Sequence, residues 1–140
     1  MMIVSPITNG IVLDHIKAGN AMELYKVLHL DKLECPVAIL KNVDSQKMGR
    51  KDIIKVDATI DLDLDAIGYV DPNATVNIIK NGELVEKQDI GLPEKLVDII
   101  RCKNPRCITT TEQELTQIFV LTDRKTGTYR CRYCETKAER

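Results

Sequence analysis

Tryptophan is absent from this 140-residue chain, and aromatic residues make up only 4% of it. Proteins that hold single-stranded nucleic acid by base stacking need exposed aromatic side chains, so this composition argues against that class. The formal net charge of −1 also argues against the concentrated basic face of a nucleic-acid-binding protein. We therefore expect no nucleic-acid partner.

Long apolar runs are missing as well. No uninterrupted apolar segment approaches the roughly 20 residues that a helix needs to cross a bilayer. The first residues lack both the basic start and the apolar stretch of a secretory signal. We expect a cytoplasmic protein with no membrane partner, in a compartment where thiols stay reduced and clustered cysteines bind metal more often than they form disulfides.

The usual reaction motifs are also missing. The chain has no glycine-rich dinucleotide fingerprint and no Walker loop. It also has no recognisable catalytic arrangement of paired carboxylates or of serine, histidine and aspartate. The sequence therefore predicts no catalytic residue. With 44% hydrophobic and 29% charged residues, the composition is that of a globular protein with one ordinary domain or two small ones.

The chain divides into two parts that differ in charge. Residues 1–97 carry 11 basic and 15 acidic side chains, a net charge of −4, whereas the remainder has a net charge of +3. A glycine and a proline interrupt the pattern at residues 91–93, as they do in linkers. We predict an N-terminal domain over residues 1–95 and a C-terminal domain over residues 96–140.

The N-terminal part mixes strands with two helices. The predicted helices are residues 21–30, with Asn20 and Glu23 as a capping box, and residues 61–70. The strand at 35–43 is expected to be largely buried, and Asn81-Gly82 is a strong hairpin signal. The predicted strands are residues 11–16, 35–43, 50–56, 74–79 and 84–87. This order predicts an α+β domain with a ferredoxin-like antiparallel sheet.

Four of the five cysteines form two spaced pairs, Cys102 with Cys107 and Cys131 with Cys134. Two thiolates a few residues apart can turn toward one ion, and two such pairs complete the tetrahedral shell that Zn²⁺ accepts. Since protein ligands would then fill all four positions, we predict one structural zinc ion per chain. Iron in the same cage is the chemical competitor. Cys35 fits a small core residue.

A module of this size cannot bury enough apolar surface to fold alone, so the metal must supply much of its stability. Residues 114–121 are rich in apolar side chains and residues 124–128 form a predicted turn, which lets residues 129–131 return as a paired strand. We expect a small all-β zinc-binding domain, entered through a short connecting helix over residues 94–101.

Two lysines, Lys51 and Lys55, share one face of the strand predicted at residues 50–56. Extended backbone separates them by about 13 Å, which is too wide for one phosphate and suits the two ends of a nucleotide. On periodicity alone, an ordinary solvated face is the simpler interpretation. Asp14 and His15 stand near the end of the first clear strand, where a carboxylate and an imidazole can bind a base or a ribose.

The hairpin at Asn81-Gly82 leaves one pairing open. A tight two-residue turn places Asn77 opposite Glu86, which leaves Lys87 on the other face of the sheet. A longer loop or a bulge would bring Lys87 to the face of Asn77 instead.

Taken together, these segments resemble the regulatory chain of aspartate carbamoyltransferase. The resemblance is carried by GIVLDHI at residues 10–16, MGRKDIIK at 48–55, ATVN at 74–77, LPE at 92–94 and the four-cysteine framework. It implies a non-catalytic allosteric subunit of an enzyme of pyrimidine biosynthesis. The implied partners are the aspartate carbamoyltransferase catalytic chain, held by the zinc domain, a second copy of this chain, and the nucleotide effectors ATP and CTP, with UTP as a further candidate.

The resemblance also implies a nucleotide site in the N-terminal domain. Ser5 stands where some relatives carry an acidic residue, and Gly82 where some carry an aromatic one. The implied polar residues are Asp14, His15, Lys51, Lys55, Asn77 and Lys87. The implied apolar or backbone contacts come from Val4, Ile7, Val12, Ile53, Ile79 and Leu84. Because the lysine set is complete, we expect triphosphate binding to persist.

Two other functions are considered beside this one. A zinc-ribbon nucleic-acid-binding protein would share the four cysteines, but the near-neutral charge and the scarcity of aromatic residues count against it. A small enzyme could use Asp14 and His15 as acid and base, and turnover by the isolated chain would reveal it.

Overall fold

The computed structural model describes residues 6–112 and 114–139. The chain divides into two compact units, Met1–Gly91 and Leu92–Arg140. This division comes just ahead of the boundary predicted between residues 95 and 96. Within the described parts of the chain, no helix is long and apolar enough to span a bilayer.

The first unit is a five-stranded antiparallel sheet with two helices. Its strands follow the order β2-β3-β1-β4-β5. This is the ferredoxin-like βαββαβ arrangement with one strand added at an edge, so the predicted α+β class is confirmed. The elements are β1 (Gly10–Lys17), α1 (Ala21–Val27), a 3₁₀ turn (Leu30–Lys32), β2 (Val37–Ser45), β3 (Gly49–Val56), α2 (Leu64–Val70), β4 (Thr75–Lys80) and β5 (Glu83–Asp89).

One face of this sheet forms the core with the helices. Along β3 every second residue from Asp52 to Val56 is buried, as the alternation predicts, while the two lysines and Ile53 lie on the other face. Leu13 in β1 and Leu24 in α1 are fully buried in the same apolar cluster. Cys35 packs against this cluster, half-buried, as expected for a small core residue.

The predicted capping box of α1 is wrong. The side chain of Asn20 makes no cap hydrogen bond. The carboxylate of Asp52 accepts the Ala21 backbone N–H at 3.2 Å instead. A buried acidic side chain on a neighbouring strand therefore satisfies this N–H, which local sequence cannot reveal. The helix also ends at Val27, before the positive φ of 55° at His29.

Strand β2 is less buried than predicted. It lies at the edge of the sheet and its residues are half-buried or exposed, because an edge strand has a neighbour on one side only. Its pairing with β3 shifts register between Leu40 and Val43, where Asn42 has a φ of 59°. The prediction of a largely buried strand is therefore wrong.

The second unit is a three-stranded antiparallel sheet with one helical turn. Its elements are β6 (Lys95–Val97), α3 (Ile108–Thr111), β7 (Ile118–Asp123) and β8 (Thr128–Cys131). The return strand predicted after the turn is confirmed, since Leu121 pairs with Tyr129. The connecting helix predicted over residues 94–101 is wrong, because β6 pairs with β7 and buries Leu96 opposite Phe119.

Candidate functional site

The four paired cysteines meet at one point in the second unit. Their sulfur atoms all lie within 4.8 Å of one another. Cys102 Sγ is 3.5 Å from Cys134 Sγ, and Cys107 Sγ is 3.7 Å from Cys131 Sγ. A tetrahedron of thiolates with metal–sulfur bonds of about 2.3 Å has edges of roughly 3.8 Å. The structure therefore brings together all four predicted ligands at a spacing that fits a metal ion.

Two tight turns aim these sulfur atoms. In the first, the Cys107 backbone N–H donates to the carbonyl of Asn104 at 3.0 Å, and the Arg106 N–H donates to the Asn104 side chain at 3.0 Å. In the second, the Glu135 N–H donates to the Cys131 carbonyl at 2.8 Å, and Glu135 has a φ of 65°. Each cysteine pair could therefore chelate one ion from a single local turn.

Two threonines support the ligands. Thr109 Oγ1 lies 3.1 Å from the Cys107 sulfur, and Thr136 Oγ1 lies 3.2 Å from the Cys134 sulfur. Hydrogen bonds to ligand sulfurs orient them and tune the metal. The sequence analysis missed these residues, although a threonine stands two positions after the second cysteine of both pairs. That repeated offset is the signal that could have found them.

The thiols differ in their readiness to ionise. Burial raises the pKa of the Cys102 thiol to about 12 and also raises the pKa of Cys131. Burial acts in the same direction on Cys134, but hydrogen bonds from the side chain and backbone of Thr136 outweigh it and lower that pKa to about 6. Since metal ligands must be thiolates, binding displaces protons and weakens as the pH falls.

In the first unit, a row of side chains crosses the face of the sheet opposite the core. Val12 in β1 pairs with Lys55 on one side and with Asn77 on the other. Asn77 in turn pairs with Lys87. Residues directly opposite one another in neighbouring strands lie on the same face. Lys55, Asn77 and Lys87 therefore form one polar row across four strands.

A bulge in the last hairpin brings Lys87 into this row. The Asn81-Gly82 turn is tight, with positive φ at both residues. Beyond it, however, the register shifts, so that Glu86 pairs with Ile78 and Lys87 with Asn77. Of the two pairings that the sequence left open, the structure has the bulged one.

A second bulge, in β1, contains Asp14 and His15. The pairing with β3 gains one residue between Leu13 and Ile16. His15 has a φ of 57°, and its N–H donates to Asp14 Oδ1 at 2.6 Å. The His15 ring nitrogen Nδ1 lies 3.1 Å from the hydroxyl of Thr75. A non-glycine residue at positive φ is uncommon, and such residues concentrate at functional sites.

An ion pair joins the β1 bulge to β3. Lys51 Nζ lies 2.9 Å from Asp14 Oδ1, and the two side chains are only 17% and 21% exposed. Burial raises the pKa of Asp14, but the hydrogen bonds from Lys51 and from the His15 N–H outweigh it and hold that pKa below its ordinary value. Asp14 is therefore ionised at neutral pH, and Lys51 is held beside the bulge.

One buried polar atom on this face lacks a partner. Asn77 Oδ1 is inaccessible to solvent and has no hydrogen-bond donor within the described residues. Leaving a buried acceptor unsatisfied costs about 1–3 kcal/mol, so the unpaired atom needs an explanation, and a donor from a bound ligand is one.

The predicted contact Ile7 lines a cleft of about 350 Å³ together with Lys55. Val4 and Ser5 lie outside the described residues.

Comparison with known proteins accounts for both units. A family model described as the aspartate carbamoyltransferase regulatory chain, allosteric domain, matches residues 2–91. A second, described as the metal binding domain of the same chain, matches residues 94–140. The chain belongs to the aspartate carbamoyltransferase regulatory chain family.

Individual relatives agree over almost the whole length. The aspartate carbamoyltransferase regulatory chain of Clostridium botulinum is 41% identical, over 96% of this chain and 92% of its own length. That of Clostridium tetani is 43% identical, over 96% and 94%. That of Bifidobacterium longum is 41% identical, over 99% of both chains.

Membership in this family assigns each cluster of residues to a domain. The regulatory chain is a non-catalytic subunit in the pyrimidine pathway. Its allosteric domain contains the polar row and both bulges, and its metal-binding domain contains the four-cysteine cluster. The resemblance seen in the sequence is confirmed.

Proposed function

We propose that this chain binds nucleoside triphosphates in its allosteric domain and docks onto the aspartate carbamoyltransferase catalytic chain through a zinc-stabilised domain. The observation that carries the proposal is the polar row Lys55, Asn77 and Lys87, which includes a buried acceptor with no donor in the described part of the chain. Beside the row stand Asp14 and His15 at a strained bulge.

The charges of this row suit a triphosphate. Of the described carboxylates, none lies within ion-pairing distance of Lys55 or Lys87, so both ammonium groups remain available to an anion. Lys51 differs, because Asp14 already neutralises it. The free lysines would attract phosphate oxygens, while the Asp14–Lys51 pair can exchange hydrogen bonds with ribose hydroxyls. Asn77 Oδ1 would accept a donor at the base end.

Regulation then follows from linkage. A bound nucleotide can alter a distant active site only by binding unequally to two states of the whole assembly. Typical couplings are about 1–3 kcal/mol, so modest differences between ATP, CTP and UTP in this site are large enough to decide between activation and inhibition.

We propose that the metal is zinc. We also propose that the surface of the second domain around the cysteine turns is the docking surface. Ile108, Leu115 and Tyr133 are 51%, 36% and 40% exposed, although all three are large apolar side chains near the cysteine turns. The Tyr133 hydroxyl donates to the Thr116 carbonyl at 3.0 Å, which ties the second turn to the segment after α3. Exposed apolar side chains in such a cluster favour a protein partner.

A second copy of the chain is the other proposed partner. The five-stranded sheet has two edge strands, β2 and β5, and an unpaired edge readily pairs with another chain. On the helices, Met22 and Leu64 are 40% and 39% exposed. These surfaces support a dimer formed between allosteric domains in a cytoplasmic hetero-oligomer.

Co-purification with a catalytic chain tests the proposal directly. The two chains, expressed together, should elute as one large complex containing zinc, and ATP, CTP and UTP should change its activity differently. Elution of the two chains as separate peaks would refute docking. A stable complex whose activity ignores all three nucleotides would refute effector binding, and a salt-sensitive gel shift with nucleic acid would favour the zinc-ribbon alternative.

A further inference from the structure

Two buried carboxylates lie beneath the candidate nucleotide site without belonging to it. Asp52 is 0% exposed and Asp71 is 2% exposed. No described basic side chain lies within ion-pairing distance of either one. Burying a carboxylate is costly unless hydrogen bonds compensate, so the groups that bind these two oxygens show what they hold in place.

Asp52 binds three backbone N–H groups from two separate segments. Its Oδ2 accepts from Gly19 at 2.9 Å and from Ala21 at 3.2 Å. Its Oδ1 accepts from Asn42 at 3.0 Å, at the irregularity in β2. Asp52 itself pairs with Ile16, the first residue after the β1 bulge. The carboxylate thus ties the chain that leaves this bulge to β3 and β2.

Asp71 binds other groups of the same stretch of chain. Its Oδ2 accepts the backbone N–H of Lys17 at 2.6 Å and the side-chain amide of Asn20 at 3.4 Å. Its Oδ1 accepts the Asn73 N–H at 3.1 Å, just before β4. Residues 17–21, which follow the β1 bulge, are therefore held by two acidic side chains.

We propose that Asp52 and Asp71 are positioning residues of the nucleotide site. They hold the β1 bulge in the register that places Asp14 against Lys51 and His15 against Thr75. The proposal rests on the proposed nucleotide-binding function, because it explains how that site is kept in shape before the ligand arrives.

Replacing the Asp52 carboxylate by an amide should remove part of this hydrogen bonding. Both oxygens of Asp52 accept N–H donors. In Asp52→Asn, an NH₂ group replaces one of these oxygens and faces an N–H donor, so at least one buried hydrogen bond is lost. Side-chain volume hardly changes, and Lys51 and Asp14 remain. The loss should therefore loosen the segment after the bulge while the sheet remains.

The experiment compares Asp52→Asn and Asp71→Asn with two controls in the full chain. Asp44→Asn makes the same chemical change at a 94% exposed carboxylate in β2. Ile67→Ala destabilises the same domain from α2, at a fully buried position. The readouts are calorimetric affinity for ATP, zinc content, and imidazole NMR signals, which are simple because the chain has only His15 and His29.

We expect Asp52→Asn to weaken ATP binding by roughly tenfold and to shift the His15 signals while those of His29 stay in place. Asp71→Asn should act in the same direction. Asp44→Asn should change neither quantity, and Ile67→Ala should lower stability without moving the His15 signals. A folded Asp52→Asn protein with normal ATP affinity and unmoved His15 signals would overturn the proposal.

A measurement on the unaltered chain covers the case in which Asp52→Asn fails to fold. ATP should slow amide exchange at Gly19 and Ala21, whose N–H groups are bound by Asp52 rather than exposed to a ligand. Unchanged exchange at saturating ATP would refute the positioning role. If the unaltered chain does not bind ATP at all, the proposed function fails instead, and the His15 signals of the variants alone decide this inference.

Discussion

The two domains of this regulatory chain are stabilised by different means. The allosteric domain buries a continuous apolar cluster between its sheet and both helices. In the described part of the metal-binding domain, the buried apolar side chains other than cysteine are only Leu96, Phe119 and Tyr129. A core that small cannot offset the conformational entropy of folding, so metal ligation must. In one domain the proposed nucleotide site lies on a scaffold with its own apolar core, and in the other we expect the metal ion to be part of the fold.

The largest expected effect tests the dependence on metal. Cys107→Ser removes one of four ligands, and a structural zinc site contributes on the order of 10–16 kcal/mol to folding. We expect loss of bound metal, unfolding of the second domain and loss of association with the catalytic chain, with ATP binding retained. Metal analysis and size-exclusion chromatography measure these outcomes. Cys35→Ser is the matched control and should keep its metal, and assembly by a metal-free Cys107→Ser chain would contradict the prediction.

The reverse change should affect only the first domain. Leu13 is 0% exposed, and Leu13→Ala should destabilise the allosteric domain by about 2–5 kcal/mol, because it loses apolar burial and leaves a cavity. Denaturant unfolding measures the loss, and metal content should not change. Leu84→Ala, at a side chain that is 55% exposed, serves as control. Metal loss in Leu13→Ala would mean that the two domains do not fold independently.

Removing a charge from the polar row should weaken triphosphate binding and leave the fold intact. Lys55→Ala deletes an available cation, and a hydrogen bond to a charged group contributes about 1.5–3 kcal/mol, so triphosphate affinity should fall by roughly tenfold or more. Calorimetry with ATP and CTP measures the change, while assembly should persist. Lys80→Ala is the control, since Lys80 is exposed at the end of β4. Equal affinities in Lys55→Ala and the unaltered chain would remove Lys55 from the site.

The smallest expected effect concerns pH. The pKa of Asp14 lies below its ordinary value in the folded chain, so the ionised carboxylate stabilises the fold above about pH 4, and this contribution disappears as the pH falls through the folded-state pKa. Asp14→Asn should therefore be slightly less stable than the unaltered chain at pH 7, and the difference in melting temperature should vanish in acid. A difference that stays constant down to pH 3 would contradict the role of the ion pair.

Local chemistry explains what could be predicted. Each cysteine pair lies on a single local turn, so spacing alone identified the four thiols that the structure brings together. Lys51 and Lys55 share a face because the strand period is two, which needs no knowledge of neighbouring strands. The strand at residues 95–97 was mistaken for a helix because its pairing partner, β7, lies far along the chain.

By itself, the sequence determined which residues are candidates for binding a metal and a nucleotide: four thiols and a set of lysines, with the strands and turns that bear them. Only the tertiary structure decided which of these side chains meet. The bulge that joins Lys87 to Asn77, the contact of Lys51 with Asp14 and the burial of Asp52 all depend on strand register. Register is set by packing between segments distant in the chain, and a local pattern does not contain that information.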